Sequence, residues 1–460
     1  MASSCYIAEM VKVKSSKKRV FVGLSGGVDS AVSAALLQKA GFDVMGVFIK
    51  VWQPDWIECN WQEERRDAMR VAAHLGIPFV TLDCEREYKQ GVIDYMIAEY
   101  RAGRTPNPDV MCNKTVKFGA FYDWAMKEGA DYVATGHYAR IVSEVFESSA
   151  SGHMSRLARR AFPLATFVAP RVPSADLPNT SLGLYTGVDR KSPAHKFSGN
   201  AEYAMFAGVD RNKDQSYFIW TLKQSQLAHI LFPVGGIEKP EVRKLAKKFK
   251  LPNADKRDSQ GLCFIGKVDV KDFLSHYIKS EKGNVLNEGG EVIGSHPGAL
   301  FFTIGERHGF TIEKKSPNDA PYFVIDKDVE HNTLTVSNRG KDEDRSLPSA
   351  TREVRIQNVN WIRGEVPIFE IVPASIKSTN GIVDAVKDSD ELGKVKLTIK
   401  FPLLVRSRYR QELQKARIKR TGITETVLEF EESQDTLTSG QSLVVYDSRG
   451  EECLGGGVIA

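Results

Sequence analysis

This chain has no apolar run of about 18 residues, the least that a helix needs to cross a bilayer, so its sequence excludes a transmembrane helix. Its 460 residues contain only six cysteines, Cys5, Cys59, Cys84, Cys112, Cys263 and Cys453, and none forms a C-x-x-C pair. That spacing argues against a structural zinc site and against a secreted disulfide framework. A reducing compartment follows, with most of these thiols read as small buried hydrophobes. The signature G-x-x-x-x-G-K-S/T is absent, which disfavours the kinases and ATPases that depend on its lysine. The first strand is not followed by G-x-G-x-x-G either, so a dinucleotide fingerprint is missing. Net charge is small, +5 from 63 basic and 58 acidic residues. Such a balance fits a nucleic-acid partner or an ordinary solvated surface.

What is present is an ordinary globular composition, 42% apolar and 26% charged, in a chain too long for one core. From Arg19 the sequence alternates strand and helix patterns. "RVFVGLS", "DVMGVFIKVW", "IPFVTLDC" and "DYVATGHY" read as strands, separated by helical stretches that end at Gly41, Gly76 and Gly129. Strands joined by helices of this length predict an α/β, doubly wound parallel sheet with a ligand site beyond the strand C-termini. Residues 141–205 carry no sustained period, are rich in Ser, Ala, Pro and Arg, and are expected to form a largely disordered surface insertion. In that segment His153 and the "RLARR" run read as solvated loop. After residue 350 the pattern turns to β and predicts a C-terminal β-barrel, with "VRSRYRQELQKARI" as one of its strands. The expected units are a catalytic domain over 1–228, a central nucleic-acid-binding or linking domain over 229–350, and the barrel over 351–460. The stretch 252–273, carrying Cys263, is expected to return to the catalytic domain.

Two short stretches carry the chemistry. "SGGVDS", Ser25–Ser30, joins the first strand to a helix. Gly26 and Gly27 permit positive φ and close backbone approach, so the amides of Val28, Asp29 and Ser30 can face an anion at the helix N-terminus. "RTPNPDVMCN", Arg104–Asn113, sets Pro106 and Pro108 around Asn107. Prolines fix φ and lack a donor, which predicts a stiff, non-repetitive loop that presents Asp109 and Cys112. Taken alone, Cys112 reads as a small buried hydrophobe; beside an anion loop and a second distinctive cysteine, Cys263 in "SQGLCFIG", the balance reverses.

The Ser-Gly-Gly-x-Asp-Ser turn resembles the PP-loop (N-type) ATP pyrophosphatases. "RTPNPDVMCNKTVKFG", "ATGHYAR", "NKDQSYF", "KPEVRKLA", "DSQGLCFIG", "RYRQ" and "CLGGGVIA" together, in this order, resemble the tRNA-specific 2-thiouridylases from about Arg19 to the C-terminus. The resemblance implies that ATP, with Mg2+ and no permanent cofactor, adenylates C2 of the wobble uridine of tRNA, after which a cysteine persulfide replaces AMP with sulfur. It implies Cys263 as the persulfide carrier, Cys112 as the nucleophile that resolves it with a disulfide left behind, and Asp109 as the acid–base. It places ATP on Gly23, Leu24, Ser25, Gly26, Gly27, Val28, Asp29, Ser30, Ile49 and Gly136, and the target base on Asn107, Pro108 and Asp109. No resident metal site is implied. For tRNA it nominates His137, Lys213, Asp214, Gln215, Arg408, Tyr409 and Gln441. His137 could equally be a metal ligand, a base or a satisfied structural histidine. Arg406, Arg408 and Arg410 would alternate along a strand and form a basic stripe, or a charge-protected edge. The implied partners are tRNA, through its anticodon stem-loop, and a persulfide donor such as a cysteine desulfurase or sulfur relay, with a monomer expected and no membrane. The basic N-terminus, with Lys12, Lys14, Lys17, Lys18 and Arg19, fits a mitochondrial presequence or a frayed tail. Mitochondrial location is the expectation, cytoplasmic the fallback. The competing activity is that of a PP-loop amidoligase or another PP-loop tRNA-modifying enzyme, and a silent RNA-binding protein is the alternative outside catalysis.

Overall fold

The computed structural model describes residues 17–57, 61–148, 154–161, 202–258, 269–313, 320–338, 351–366, 403–422, 425–434 and 437–460. Its first sheet is built from β1 (Arg19–Gly23), β2 (Asp43–Lys50), β3 (Phe79–Asp83), β4 (Tyr132–Ala134) and β8 (Ile230–Leu231), all parallel, in the order β3-β2-β1-β4-β8. Central strands buried on both faces read as continuous apolar runs, as Val20, Phe21 and Val22 do here. Helix α1 (Val28–Lys39) is likewise buried on opposite sides. Ala34 and Leu37 meet Val20 and Val22 of the sheet, while Val28 and Val32 meet Val242 and Ala246 of α7 (Lys239–Lys248). β1 has β2 on one side and β4 on the other, so the strand order reverses around it. The crevice beyond its C-terminal end is the switch point where such sheets take ligands. The doubly wound sheet expected from the sequence is therefore the one observed.

Two expectations about this unit change. β8 completes the sheet and α7 lies on α1, so the first unit runs past residue 228. The segment from Ile141 onward is also not a wholly irregular insertion. β5 (Ala139–Ser148) pairs with β6 (Met154–Ala161), which holds "RLARR", and with β7 (Glu202–Ala207). Ser and Arg obscured the alternation there, and pairing with a partner strand supplied what local pattern did not. His153 and most of the segment lie outside the described residues.

Between β3 and β4 runs a helical hairpin. Its first arm is α3 (Glu85–Tyr88), a π-helical stretch (Lys89–Asp94) and α4 (Tyr95–Arg101); its second is α5 (Pro108–Cys112), another π-helical stretch (Asn113–Ala120) and α6 (Phe121–Lys127). The arms touch where a Cβ on Gly91 would meet Thr115 Oγ1 at 2.8 Å, so glycine sets how closely they approach.

Helix α8 (Val270–Ser275), capped by the Asp269 side chain, leads into a second sheet. This sheet comprises β9 (Gly283–Leu286), β10 (Val292–His296), β11 (Thr311–Ile312), β12 (Phe323–Asp328) and β13 (Thr333–Ser337), in the order β11-β10-β9-β13-β12. The third is a closed barrel of β14 (Thr351–Trp361), β15 (Leu403–Arg406), β16 (Gln414–Thr421), β17 (Glu425–Gln434), β18 (Ser442–Tyr446) and β19 (Glu452–Ile459). Pairing of β14 with both β17 and β19 closes it, which removes the edges a sheet would otherwise expose. β19 also pairs with β7, so the barrel and the β5–β7 strands form one continuous sheet. "VRSRYRQELQKARI" is not a single strand. β15 stops at Arg406, Arg410 takes φ 63°, and β16 begins at Gln414. The three arginines therefore share no strand face, and the basic stripe does not exist.

Candidate functional site

The first part of the site is the turn after β1. Leu24 N donates to Val47 O at 2.8 Å, the last rung linking this end of β1 to β2. Val47 therefore turns its carbonyl toward β1, while Lys50 turns its own toward Cys84 of the β3 side. Residues of a parallel strand alternate in this respect, so the backbone of Ile49 faces the space beyond the end of β1, although its side chain is buried. Gly26 has φ +75°, and Gly27 caps α1 in an extended conformation. Ser30 Oγ donates to Gly27 O at 3.1 Å and accepts from Ser25 N at 3.3 Å, which ties the turn to the first turn of the helix. A Cβ on Gly136 would lie 2.8 Å from Ser30 N, so only glycine lets the segment after β4 rest against that N-terminus. A Cβ on Gly23 would meet Phe121 at 3.5 Å, which sets the end of β1 against the helix that follows Cys112.

The conformation of this turn yields a prediction. Gly26→Ala would force a non-glycine residue to positive φ and drive a Cβ to 2.6 Å from Glu64 O. Left-handed backbone costs on the order of 1–2 kcal/mol in itself, and the clash adds displacement of α2 (Trp61–Leu75). ATP affinity, read by calorimetry, is expected to fall at least tenfold, about 1.4 kcal/mol, with the sheet still folded. Unchanged affinity would remove the turn from the ATP site.

Asp29, in the first turn of α1, lies at the centre of a charged cluster. Lys239 Nζ contacts both of its carboxylate oxygens, at 2.7 and 2.8 Å, and the Tyr138 hydroxyl donates to Oδ1 at 2.8 Å. Lys239 also meets Asp258 at 2.9 Å, and Asp258 is further held by Lys213 at 2.8 Å and Arg243 at 2.6 Å. Burial opposes ionisation of Asp258, but hydrogen bonds from Lys213 and Lys239 outweigh it and keep its carboxyl well below the usual range. Burial and the neighbouring Asp29 carboxylate raise the Tyr138 phenol, so it stays a donor. Asn253 Nδ2 donates to Gly26 O at 2.9 Å. Asn253 thus reaches the turn and Asp258 the cluster beside it; Cys263 itself lies outside the described residues.

The second part is the proline-flanked stretch, and here the expected loop is corrected. Only Arg104–Asn107 is irregular. Pro108 opens α5 at its first position, where the missing amide hydrogen costs nothing, and the Asn107 side chain accepts from Val110 N at 3.2 Å as the cap. Asp109 and Cys112 stand three positions apart on this helix, hence on one face. Asp109 is partly exposed; Cys112 is fully buried in the cluster that includes Val47, Ile49 and Phe121. The helix turns π immediately after Cys112, a feature common at functional sites.

The stretch is braced from the barrel. Thr105 N donates to Ser439 O at 2.9 Å, and Gln441 Nε2 donates to Pro106 O at 3.3 Å. The buried Tyr217 hydroxyl donates to Ser407 O at 2.9 Å and lies within hydrogen-bonding reach of Asn107. Asn113 Nδ2 reaches Phe218 O at 3.2 Å.

The nominated tRNA residues do converge, though several point inward. Asp214 is 2% exposed, accepts from Gly208 N, Ser216 N and Ser216 Oγ, and forms an ion pair with Arg406 across 192 positions. Gln215 exchanges hydrogen bonds with the Tyr138 backbone, and Lys213 is committed to Asp258. Arg408 donates to Ile304 O at 2.7 Å, and Tyr409 packs on Phe218. His137 is buried between Phe118 and Phe232, with Nδ1 2.7 Å from Thr135 Oγ1. Burial pushes its pKa well down, so the ring is neutral, and only 7% of the residue is exposed. The barrel's outer cations are paired too, as Arg417 with Glu429 at 2.7 Å and Arg420 with Glu425 at 2.9 Å.

Sequence reading missed Lys239, Asp258, Tyr217 and Arg406 as parts of one site. Their motifs were visible, but an ammonium delivered from 210 positions away leaves no local spacing to detect.

Comparison with known proteins agrees with these units. The chain matches the descriptions "tRNA methyl transferase HUP domain" over 18–167 and 176–267, "tRNA methyl transferase PRC-barrel domain" over 271–338, and "Aminomethyltransferase beta-barrel domain" over 351–459. It is 37% identical to the tRNA-specific 2-thiouridylase MnmA of Streptococcus thermophilus (strain CNRZ 1066) over 447 residues, covering 96% of this chain and 95% of that protein. It is also 37% identical to the protein of that name from Bacillus velezensis, covering 96% of this chain and 94% of the relative. Among solved structures, NMN synthetase from Francisella tularensis is 22% identical over 26% of this chain and 44% of its own, with a TM-score of 0.19, an overlap that carries no argument.

Proposed function

This chain belongs to the tRNA-specific 2-thiouridylase family, and we propose that its Asp109–Cys112 helix and its Ser25–Ser30 turn perform the two halves of that reaction. It is a tRNA sulfurtransferase that uses ATP. In the first half, O2 of the wobble uridine attacks the α-phosphorus of ATP, the bond to the bridging oxygen breaks, and pyrophosphate leaves. The amides of Val28, Asp29 and Ser30, with the positive end of α1, take up the negative charge. Gly23, Leu24, Gly27 and Gly136 shape the floor, and the Ile49 backbone is turned toward the adenine side. Among the described residues no group of three His, Cys, Asp or Glu could hold a metal ion. A Mg2+ that arrives with the nucleotide would need only one or two protein carboxylates, and Asp29 would be the one to hold it. When present, it neutralises phosphate charge.

In the second half, the terminal sulfur of a Cys263 persulfide attacks C2 and AMP leaves. The Cys112 thiolate then attacks the Cys263 sulfur, the S–S bond breaks, and the electron pair departs with the thiocarbonyl sulfur. A Cys112–Cys263 disulfide remains and is reset by an external thiol. Asp109 moves protons at the uracil edge, and Asn107 and Pro108 hold the flipped base. Because Asp214 and His137 are buried, their part toward tRNA is to position Lys213, Gln215, Arg408, Tyr409 and Gln441 around the pocket. A cysteine desulfurase or sulfur relay supplies the persulfide, and the enzyme acts as a monomer. The basic segment 12–19 supports a mitochondrial location, checked by imaging a C-terminally tagged chain.

The observation that supports this reading is that Asp109 and Cys112 share one helical turn and that Cys112 packs in the cluster of Val47 and Ile49, from the strand next to the switch point. The test is nucleoside mass spectrometry of tRNA incubated with protein, ATP, a thiol reductant and a persulfide donor, a cysteine desulfurase with free cysteine. 2-Thiouridine should form with equimolar AMP and pyrophosphate. AMP formation that requires ammonia or glutamine and no thiol would favour the amidoligase instead.

A further inference from the structure

The absence of a lysine in the phosphate loop leaves a question that tertiary structure answers. Lys239 stands at the start of α7, with its side chain 11% exposed, and its ammonium reaches the first turn of α1. All three of its N–H donors are used: two on Asp29 and one on Asp258. We propose that Lys239 is the cation that receives the leaving pyrophosphate, doing from a distant helix what a loop lysine does in other nucleotide-binding turns. This rests on the thiolation reading and assigns one further residue to its first half.

Three features support the assignment. The cluster holds three cations, Lys213, Lys239 and Arg243, against the carboxylates of Asp29, Asp258 and Asp210, the last accepting from Lys239 N at 3.1 Å, so its charges balance and an ammonium stands beside a helix N-terminus. The ammonium and the helix dipole both favour an anion there. Lys239 can also be released at little cost. Asp258 keeps Lys213 at 2.8 Å and Arg243 at 2.6 Å when the ammonium turns to phosphate, and Asp29, whose side chain is 30% exposed, keeps the Tyr138 hydroxyl at 2.8 Å. Finally, Asp29 fixes the ammonium on the same helical turn whose amides face the phosphates, so the swing required is short. As the bond from α-phosphorus to the bridging oxygen breaks, that oxygen gains the electron pair. An ammonium beside it stabilises the leaving group without a proton transfer.

The test measures binding of inorganic pyrophosphate and of AMP, each with Mg2+, to the full-length protein by calorimetry. For Lys239→Met, pyrophosphate affinity should fall at least ~30-fold, about 2 kcal/mol, while AMP affinity changes less than threefold. Lys239→Arg, which keeps the charge, should recover most of the loss. The melting temperature of each variant is recorded, and Asp258→Asn provides a second route by loosening the bridge while leaving the lysine in place. That variant should bind pyrophosphate at least as tightly as the unaltered chain. Parallel loss of AMP and pyrophosphate binding in both Lys239→Met and Asp258→Asn would overturn the assignment and make the lysine a strut. Failure of the unaltered protein to bind pyrophosphate would overturn it as well. A protein that binds pyrophosphate through Lys239 yet forms no 2-thiouridine would leave the lysine's role standing and sink the thiolation reading.

Discussion

Cys112→Ser should abolish enzymatic release of 2-thiouridine while ATP still binds. A loss on the order of 10³-fold or more in 2-thiouridine formation is expected, roughly 4 kcal/mol of transition-state stabilisation. The reason is the nucleophile. A serine hydroxyl is neither soft nor ionised near neutral pH, so it does not attack a disulfide sulfur, whereas a thiolate does. The substitution is nearly isosteric, but the position is fully buried. A hydroxyl there costs on the order of 1–3 kcal/mol unless it finds a partner, and a melting curve separates that cost from the chemical one. Because adenylation and the first sulfur transfer precede the step assigned to Cys112, the variant should still release AMP once per active site. It should also accumulate a protein–tRNA adduct that dithiothreitol cleaves to yield 2-thiouridine. Cys263→Ser should give neither adduct nor thiolation. Turnover at the unaltered rate in either variant would end the two-cysteine mechanism.

The second large effect is on stability and comes from a residue the sequence placed on the tRNA. Asp214→Ala removes the carboxylate that faces Arg406, leaving a guanidinium 7% exposed among Tyr446, Ser216 and the barrel core. Breaking a buried ion pair from one side costs about 3–5 kcal/mol, because the remaining charge is uncompensated. For a unit of 150–250 residues that corresponds to a fall in melting temperature of roughly 6–20 °C. The double variant Asp214→Ala with Arg406→Met should recover much of this, since replacing both partners removes the stranded charge. If Asp214 instead touched RNA, the single variant would leave the melting curve in place and weaken tRNA binding alone. Scanning calorimetry with and without tRNA tells the two apart.

The contrast between these residues shows what kind of information the sequence holds. Local order was legible. The Val20–Val22 run, the helix-ending glycines Gly41 and Gly76 and the Ser25–Ser30 turn each depend on interactions within a few residues, and each was found where the pattern put it. The barrel was legible for the same reason, since the alternation at Val354 and Ile356 of β14 and the apolar run of β18 are properties of each strand alone. Failures occurred where a partner decides. β5 and β6 looked irregular because their order comes from β7 and, through it, from β19. The "RSRYRQ" segment looked like strand because arginine spacing fits one. The corner exists because the Gln411 side chain accepts from Ser407 N and Arg408 N, at 2.9 and 3.0 Å, and folds the chain around itself.

The proline stretch lies between these cases. Its residues determined the local events: a stiff lead of Arg104–Asn107, a cap at Asn107, a proline tolerated only at the first helical position, and Asp109 and Cys112 one turn apart. Those follow from φ restriction, missing donors and helical periodicity, which need no distant partner. Tertiary structure alone decided that the stretch is held in place by Ser439 and Gln441 of the barrel, that Cys112 lies in the core beside Ile49, and that a lysine from residue 239 meets Asp29. Contacts of this kind join residues hundreds of positions apart, and their strength depends on burial and on charges that only the closed fold brings together.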